Sequence, residues 1–190
     1  MRLVILGPPG AGKGTQAKKV ASHFGIPAIS TGDIFRQNVT DGTPLGKQVE
    51  EIMKSGKYVP DEVTNEMVRN RLLEEDAAVG FLLDGYPRTA AQVDELDSMI
   101  ATSGTKLDAV LELTVDMDEV VDRLLKRAEI EGRPDDTEDV IRHRLEVYTE
   151  QTAPLVHIYS DRNLLLRVDG MGDISDVTSR LLAACNDFAV

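Results

Sequence analysis

Short apolar runs alternate with longer amphipathic stretches along the chain. LVIL at 3–6, FLL at 81–83 and LLL at 164–166 have no polar interruption, and Ala28–Ser30, Ala109–Val115 and Leu164–Val168 have strand length. Unbroken runs of this kind suit strands buried on both faces, as in a parallel sheet. Apolar positions recur at helical spacing in Gly12–Phe24, Pro44–Ser55, Glu62–Glu75, Ala90–Thr102, Val120–Arg127 and Ile174–Asn186. A longer helical stretch runs from Thr137 to about Tyr159, and Pro154 inside it should kink or end it. Strands alternating with helices predict a βαβ architecture.

Two segments interrupt the alternation. Residues 30–60 are mostly helical and separate the second strand from the third. Residues 126–136, KRAEIEGRPDD, are polar and carry Gly132 and Pro134. Each reads as an insertion at the sheet's edge within a single core domain spanning 1–190. No internal repeat or low-complexity segment is visible.

Composition narrows the class. The 190 residues suffice to bury about 70% of the surface exposed by the unfolded chain, and 42% hydrophobic with 28% charged residues is ordinary for a globular protein. Lys plus Arg number 21 against 33 Asp plus Glu, a net charge of −12. Such a chain repels polyphosphate backbones and anionic membranes, so neither nucleic acid nor a membrane is expected as a partner. The single cysteine, Cys185, excludes an internal disulfide and a thiolate zinc cluster. The apolar run near the N-terminus is too short for a signal peptide, and no run approaches the ~18 residues of a membrane helix. The expected location is the cytoplasm.

Gly7-Pro8-Pro9-Gly10-Ala11-Gly12-Lys13 fits G-x-x-x-x-G-K between a predicted strand and a predicted helix, the context that a phosphate-binding loop requires. Glycines let the backbone turn its N–H groups inward around phosphates, the helix start adds its positive end, and Lys13 adds a point charge. Gly14 follows Lys13 where the motif has Ser or Thr, leaving the hydroxyl role to Thr15 or the metal to water-mediated contacts. The pattern predicts a nucleoside triphosphate site. No N-K-x-D segment for reading guanine follows a strand, which argues against a GTPase switch.

A phosphotransferase needs a second anion site facing the first. Ser30-Thr31-Gly32-Asp33-Ile34-Phe35-Arg36 follows the second strand, and Asp84-Gly85-Tyr86-Pro87-Arg88-Thr89-Ala90-Ala91-Gln92 follows the third. Arg123 and Arg127 share a helix face, Arg133 lies in the polar insertion and Arg144 on the helix after it. Planar guanidinium forks suit phosphate oxygens. Arg88 can hold an acceptor phosphate while Gln92, one turn on, reads a base edge, since an amide that donates and accepts complements adenine. Asp84 ends an apolar strand beside the loop, where a carboxylate can hold Mg²⁺ through water; Asp33 can do so from the other side. His23, His143 and His157 need no catalytic role, because an acceptor phosphate is already an oxyanion.

With GPPGAGKGT at the start, these segments resemble, in order and over the whole chain, the nucleoside monophosphate kinase family, in the adenylate kinase branch with a short lid. The resemblance implies a three-layer α/β fold of the P-loop NTPase type, with a five-stranded parallel sheet of order 2-3-1-4-5. It implies reversible transfer from MgATP to AMP, giving two ADP and serving adenine nucleotide homeostasis. It places Gly10, Ala11, Gly12, Lys13, Gly14, Thr15, Arg123, Arg127 and Gly172 around ATP. Around AMP it places Thr31, Arg36, Lys57, Tyr58, Val59, Gly85, Tyr86, Pro87, Arg88, Gln92, Arg133 and Arg144. Lys13, Arg88, Arg123, Arg127, Arg133 and Arg144 would stabilise the migrating charge. Arg142 lies off the family spacing and keeps the reading of a solvated surface charge. Thr31 favours AMP over pyrimidine acceptors, for which the family commonly carries Ala, leaving a UMP/CMP kinase as the alternative. A regulatory protein that binds ATP without turnover is a second alternative, disfavoured by the arginine set. Residues 30–60 would bind AMP and 126–136 would form a short lid that excludes water, without structural zinc; both are expected to move on binding. The family analogy also suggests a monomer. Of 13 arginines, six (36, 88, 123, 127, 133 and 144) fall in these sites, so the acidic excess lies mostly elsewhere on the surface.

Overall fold

The computed structural model describes residues 1–131 and 137–188, the side chains of 127–129 and 131 excepted. Strands β1 (Arg2–Leu6), β2 (Ala28–Ser30), β3 (Phe81–Asp84), β4 (Ala109–Thr114) and β5 (Leu165–Asp169) form one parallel sheet in the order β2-β3-β1-β4-β5. The expected strand order is the observed one. In β1, Val4 lies between Leu83 of β3 and Val110 of β4.

The uninterrupted apolar runs have a direct cause. Successive strand residues point to opposite faces, and both faces are covered. Leu3, Ile5, Leu82 and Leu111 pack with Ala17 and Val20 of helix α1 (Lys13–Phe24) and Val177 and Leu181 of α9 (Ile174–Phe188). Val4, Leu6, Leu83 and Val110 face the other way. They meet Val93, Leu96 and Ile100 of α5 (Ala90–Thr102), with Val68 of α4 (Asp61–Leu72) and Leu155 and Tyr159 of α8 (Leu155–Asp161). Each face buries its own cluster, giving three layers.

The segment between β2 and β3 holds α2 (Thr31–Thr40) and α3 (Pro44–Lys54), followed by α4. Phe35, Val49 and Val59 form a small core of its own. Helix α6 (Met117–Glu131) continues through residues 126–131, beyond the expected end at Arg127. Lys126 to Glu131 are mostly good helix formers, so the polar segment begins as helix; its remainder, 132–136, lies outside the described residues.

The long helical stretch divides ahead of Pro154. Helix α7 (Glu138–Val147) passes into a π-helical turn, Tyr148–Thr152, closed by Ala153 N–H donating to the Tyr148 carbonyl at 2.9 Å, and α8 follows. Proline lacks an N–H and its ring crowds the carbonyl four residues back. The wide turn accommodates that and swings Tyr148 and Thr152 towards the sheet's carboxyl edge. Leu6, Ser30 and Asp84 end their strands at this edge, where open parallel sheets bind ligands.

Candidate active site

The phosphate loop links β1 to α1 through a turn in which Ala11 N–H donates to the Pro8 carbonyl at 3.1 Å. Lys13 curls back so that Nζ donates to the same carbonyl at 2.9 Å, which holds the ammonium over the loop. The first backbone bond of α1 runs from Gln16 N–H to the Gly12 carbonyl. The N–H groups of Gly14 and Thr15 therefore precede any carbonyl they could reach within the helix. Gly10 is pinned between loop and α6: a Cβ there would lie 3.0 Å from Leu124 Cγ and from the Val120 carbonyl oxygen. Leu124 and Val120 are fully buried with Ile141 of α7, so the loop rests on a rigid floor.

Two clefts open at the carboxyl edge. The first follows the loop and is lined by Gly10, Gly12, Lys13, Gly14, Thr15, Asp33, Asp84 and Arg123. The second lies under the 30–60 segment and is lined by Thr31, Lys57, Tyr58, Val59, Pro87, Gln92, Tyr148 and Thr152. Lys13, Arg36, Gly85, Arg88 and Arg144 line both. Four cations thus stand where the clefts meet.

Arg88 is held from several sides. Its Nε donates to the Gly85 carbonyl at 2.8 Å, and its Cζ lies 4.7 Å from the centre of the Tyr58 ring. Cation–π contact of this kind fixes a guanidinium plane while leaving its edge for an anion. Gly85 has φ +83°, and a Cβ there would sit 2.7 Å from Thr31 Oγ1 and 3.0 Å from Arg88 Nη2. Only glycine lets these side chains converge. Thr31 is buried and donates to the Gly85 carbonyl at 3.0 Å. Arg36 Nη2 donates to Asp33 Oδ1 at 2.5 Å, folding the guanidinium back over Gly32. Burial, with Glu112 and Tyr58 adding to it, pushes the Tyr148 phenol up to about 12, so it lines the cleft as a neutral donor.

Gln92 is buried at 1% exposure. Its Oε1 accepts from Arg88 N–H at 2.7 Å, and its Nε2 donates to Asp61 Oδ1 at 2.7 Å. Asp33 and Asp84 line one cleft, and Asp84 Oδ2 stands 3.5 Å from where a Cβ on Gly14 would be.

Three expected site residues do not line either cleft. Ala11 is buried in the core beneath the loop. Tyr86 points into the core on the other face, its hydroxyl donating to Asn65 Oδ1 at 2.8 Å, and burial raises its pKa far above the usual phenol value. Gly172 follows Met171, whose sulfur lies 3.7 Å from Arg123 Nη2, which ties its loop to an arginine of the loop-side cleft. The Arg127 side chain and Arg133 lie outside the described residues. Arg142 is exposed, pairs with Glu138 at 2.7 Å, and lines neither cleft. None of His23, His143 and His157 lines them either.

Sequence reasoning missed Asp61, Tyr148 and Thr152. Asp61 follows Pro60 and reads as an acidic helix start. Tyr148 and Thr152 sit in a polar stretch whose course depends on the turn that Pro154 imposes, so periodicity carried no signal for them.

Comparison with known proteins agrees with this geometry. The family model described as Adenylate kinase matches residues 5–164. Among similar proteins, an adenylate kinase of a Nocardioides species is 66% identical over 184 residues, covering 97% of this chain and 96% of that one. Those of Kocuria rhizophila and Thermobifida fusca are 61% and 59% identical; the alignments cover 96% and 97% of this chain and 97% of each relative. A phosphate loop facing a second cleft across shared cations, matched at this identity over nearly full length, places the chain in the adenylate kinase family.

Proposed function

We propose that the loop-side cleft takes ATP and the other takes AMP, with the phosphoryl group passing between them at Lys13, Arg36, Arg88 and Arg144. The reaction is the family's reversible transfer from ATP to AMP, giving two ADP. The observation that carries the assignment is the set of four cations lining both clefts.

Transfer between two phosphates is mainly positioning and charge neutralisation. The acceptor phosphate is an oxyanion and needs no base. Lys13 and the N–H groups at the start of α1 bind the donor phosphates, while Arg88, fixed on Gly85 and Tyr58, holds the acceptor in line. Arg144 faces both clefts and meets the charge that develops between them. Arg123 lines the donor side, and the resemblance assigns Arg127 and Arg133 to the same task. Thr31 and Gln92 read the acceptor base. Two carboxylates beside phosphates suit Mg²⁺, which keeps most of its waters, so Asp33 and Asp84 would hold it through water. The ion adds charge neutralisation at the donor phosphates.

Residues 30–60 act as the AMP-binding segment and 126–136 as a short lid that keeps water from the phosphoryl group. Nucleotides are the partners, and the protein acts as a cytoplasmic monomer. Among the described residues no helix is long and apolar enough to cross a membrane. The decisive experiment is a coupled assay with AMP, CMP, UMP and GMP as acceptors. AMP should exceed each of the others by at least tenfold in kcat/KM; equal or better turnover of CMP or UMP would overturn the acceptor assignment. Structures with and without a bisubstrate analogue test the motion of both segments, and unchanged positions would refute it.

A further inference from the structure

We infer that Asp61 is a specificity-positioning residue: it locks the Gln92 amide in the one orientation that accepts a 6-aminopurine and rejects a 6-oxopurine. The inference rests on the reading that Gln92 faces the acceptor base, and it adds what decides between purines.

The four groups form a closed ring. Arg88 N–H donates to Gln92 Oε1 at 2.7 Å, and Gln92 Nε2 donates to Asp61 Oδ1 at 2.7 Å. Thr89 Oγ1 donates to Asp61 Oδ2 at 2.9 Å and accepts from Gln92 N–H at 3.2 Å. A carboxamide has two donor hydrogens and two acceptor lone pairs. The ring uses one of each, leaving one of each for the cleft that Gln92 lines.

The orientation is dictated by chemistry. A backbone N–H can only donate, and a carboxylate can only accept. Gln92 must therefore turn its oxygen to Arg88 and its nitrogen to Asp61. In that setting the remaining hydrogen meets a purine N1 that accepts, and the remaining lone pair meets an exocyclic 6-amino group that donates. A 6-oxopurine presents the reverse order, a donor at N1 and an acceptor at C6. Reading it would require the amide to turn over, setting Nε2–H against the Arg88 N–H and Oε1 against the Asp61 carboxylate. Gln92 is buried, so water cannot repair either mismatch.

The test compares AMP with IMP, which differ only at C6 and in the proton on N1. In Asp61→Asn the new amide can either donate to or accept from Gln92, which lowers the penalty for turning over. The AMP-to-IMP ratio of kcat/KM should fall at least tenfold, through the KM of the acceptor, while the KM for ATP stays unchanged. If Asp61 only supports the fold, both acceptors decline together and the ratio holds; that outcome overturns the inference. Gln92→Ala separates the underlying reading. A ratio unchanged in Gln92→Ala shows that Gln92 does not face the base, and the inference falls with that reading. A ratio that collapses in Gln92→Ala but holds in Asp61→Asn leaves the reading intact and overturns the inference alone. Should Asp61→Asn not fold, judged by circular dichroism, Thr89→Ala frees Asp61 Oδ2 and should narrow the ratio less steeply. An unchanged ratio there overturns the inference as well.

Discussion

The Tyr58 hydroxyl donates to Thr152 Oγ1 across 2.8 Å, joining the segment after α3 to the π-helical turn before α8. The direction follows from Thr152, which spends its own proton on the Arg88 carbonyl, also at 2.8 Å. Tyr58 thereby touches Arg88 twice: with its ring beneath the guanidinium, and with its hydroxyl through Thr152. Tyr58→Phe keeps the first contact and removes the second. A net hydrogen bond of about 1 kcal/mol corresponds to a roughly fivefold rise in KM for AMP, with the KM for ATP unaffected. Tyr58→Ala removes both contacts and should cost about tenfold more again in kcat/KM, given roughly 1–2 kcal/mol for the ring contact. Steady-state kinetics with each substrate varied checks both; equal effects in the two variants would show that the ring contributes nothing.

The geometry around Arg88 also predicts that its charge alone is insufficient. Lysine retains a cation but cannot place an Nε on the Gly85 carbonyl or lie flat on Tyr58. Arg88→Lys should lower kcat by about 100-fold, and Arg88→Ala and Lys13→Ala by roughly 100- to 1000-fold, the scale of a lost oxyanion donor. Circular dichroism should show the fold intact, because these side chains line the clefts. A near-normal rate in Arg88→Ala or Lys13→Ala would contradict their assignment.

Much of this was legible from local pattern. The strands announced themselves because, from Leu3 to Leu6 of β1, each residue packs on one face or the other, leaving none of these positions facing solvent. The phosphate loop was equally plain, since its chemistry is carried by consecutive residues. Helix α6 was harder: four of the six residues Lys126–Glu131 are charged and the stretch reads as part of an insertion, yet the same residues extend a helix already packed through Val120 and Leu124. Tyr86 misled for another reason. It lies between Gly85 and Pro87, which line the cleft, but its own side chain turns to Asn65. Asp61 and Thr152 are tied to the site by contacts 31 and 64 residues away in sequence, to Gln92 and Arg88, which no local pattern encodes.

Gly85→Ala separates backbone strain from crowding. At φ +83° any L side chain costs about 1–2 kcal/mol, and here the new Cβ also meets Thr31 Oγ1 and Arg88 Nη2. Gly42, at φ +64° with nothing within 4 Å, supplies the control, since Gly42→Ala carries the strain without the crowding. Both variants should lose thermal stability, Gly85→Ala more. Only Gly85→Ala should raise the KM for AMP, because Thr31 and Arg88 must move. Calorimetry and acceptor-varied kinetics on the two proteins check this, and a similar KM shift in both would refute the contact argument.

Cys185 gives the alkaline limb of stability a specific source. The thiol lies on the inner face of α9, 1% exposed, and burial pushes its pKa up to about 11. In the unfolded chain a cysteine titrates near 8.5. Below about pH 8.5 both states hold the proton and the native state keeps its full margin. Between about 8.5 and 11 the unfolded thiol ionises first, so stability falls as pH rises; above 11 this group adds no further loss. The loss reaches about 1–2 kcal/mol by pH 10. The tyrosines 86, 148 and 159, all raised chiefly by burial, act in the same direction at still higher pH. Cys185→Ala should therefore start less stable at pH 7, having lost packed volume, but decline less between pH 8.5 and 10. Urea midpoints at pH 7, 8.5 and 10 for both proteins measure the difference. A thiol reagent at pH 8 supplies the kinetic counterpart: it should react with the native protein far more slowly than with the urea-unfolded chain. Equal declines in the two proteins would assign the alkaline limb to other groups.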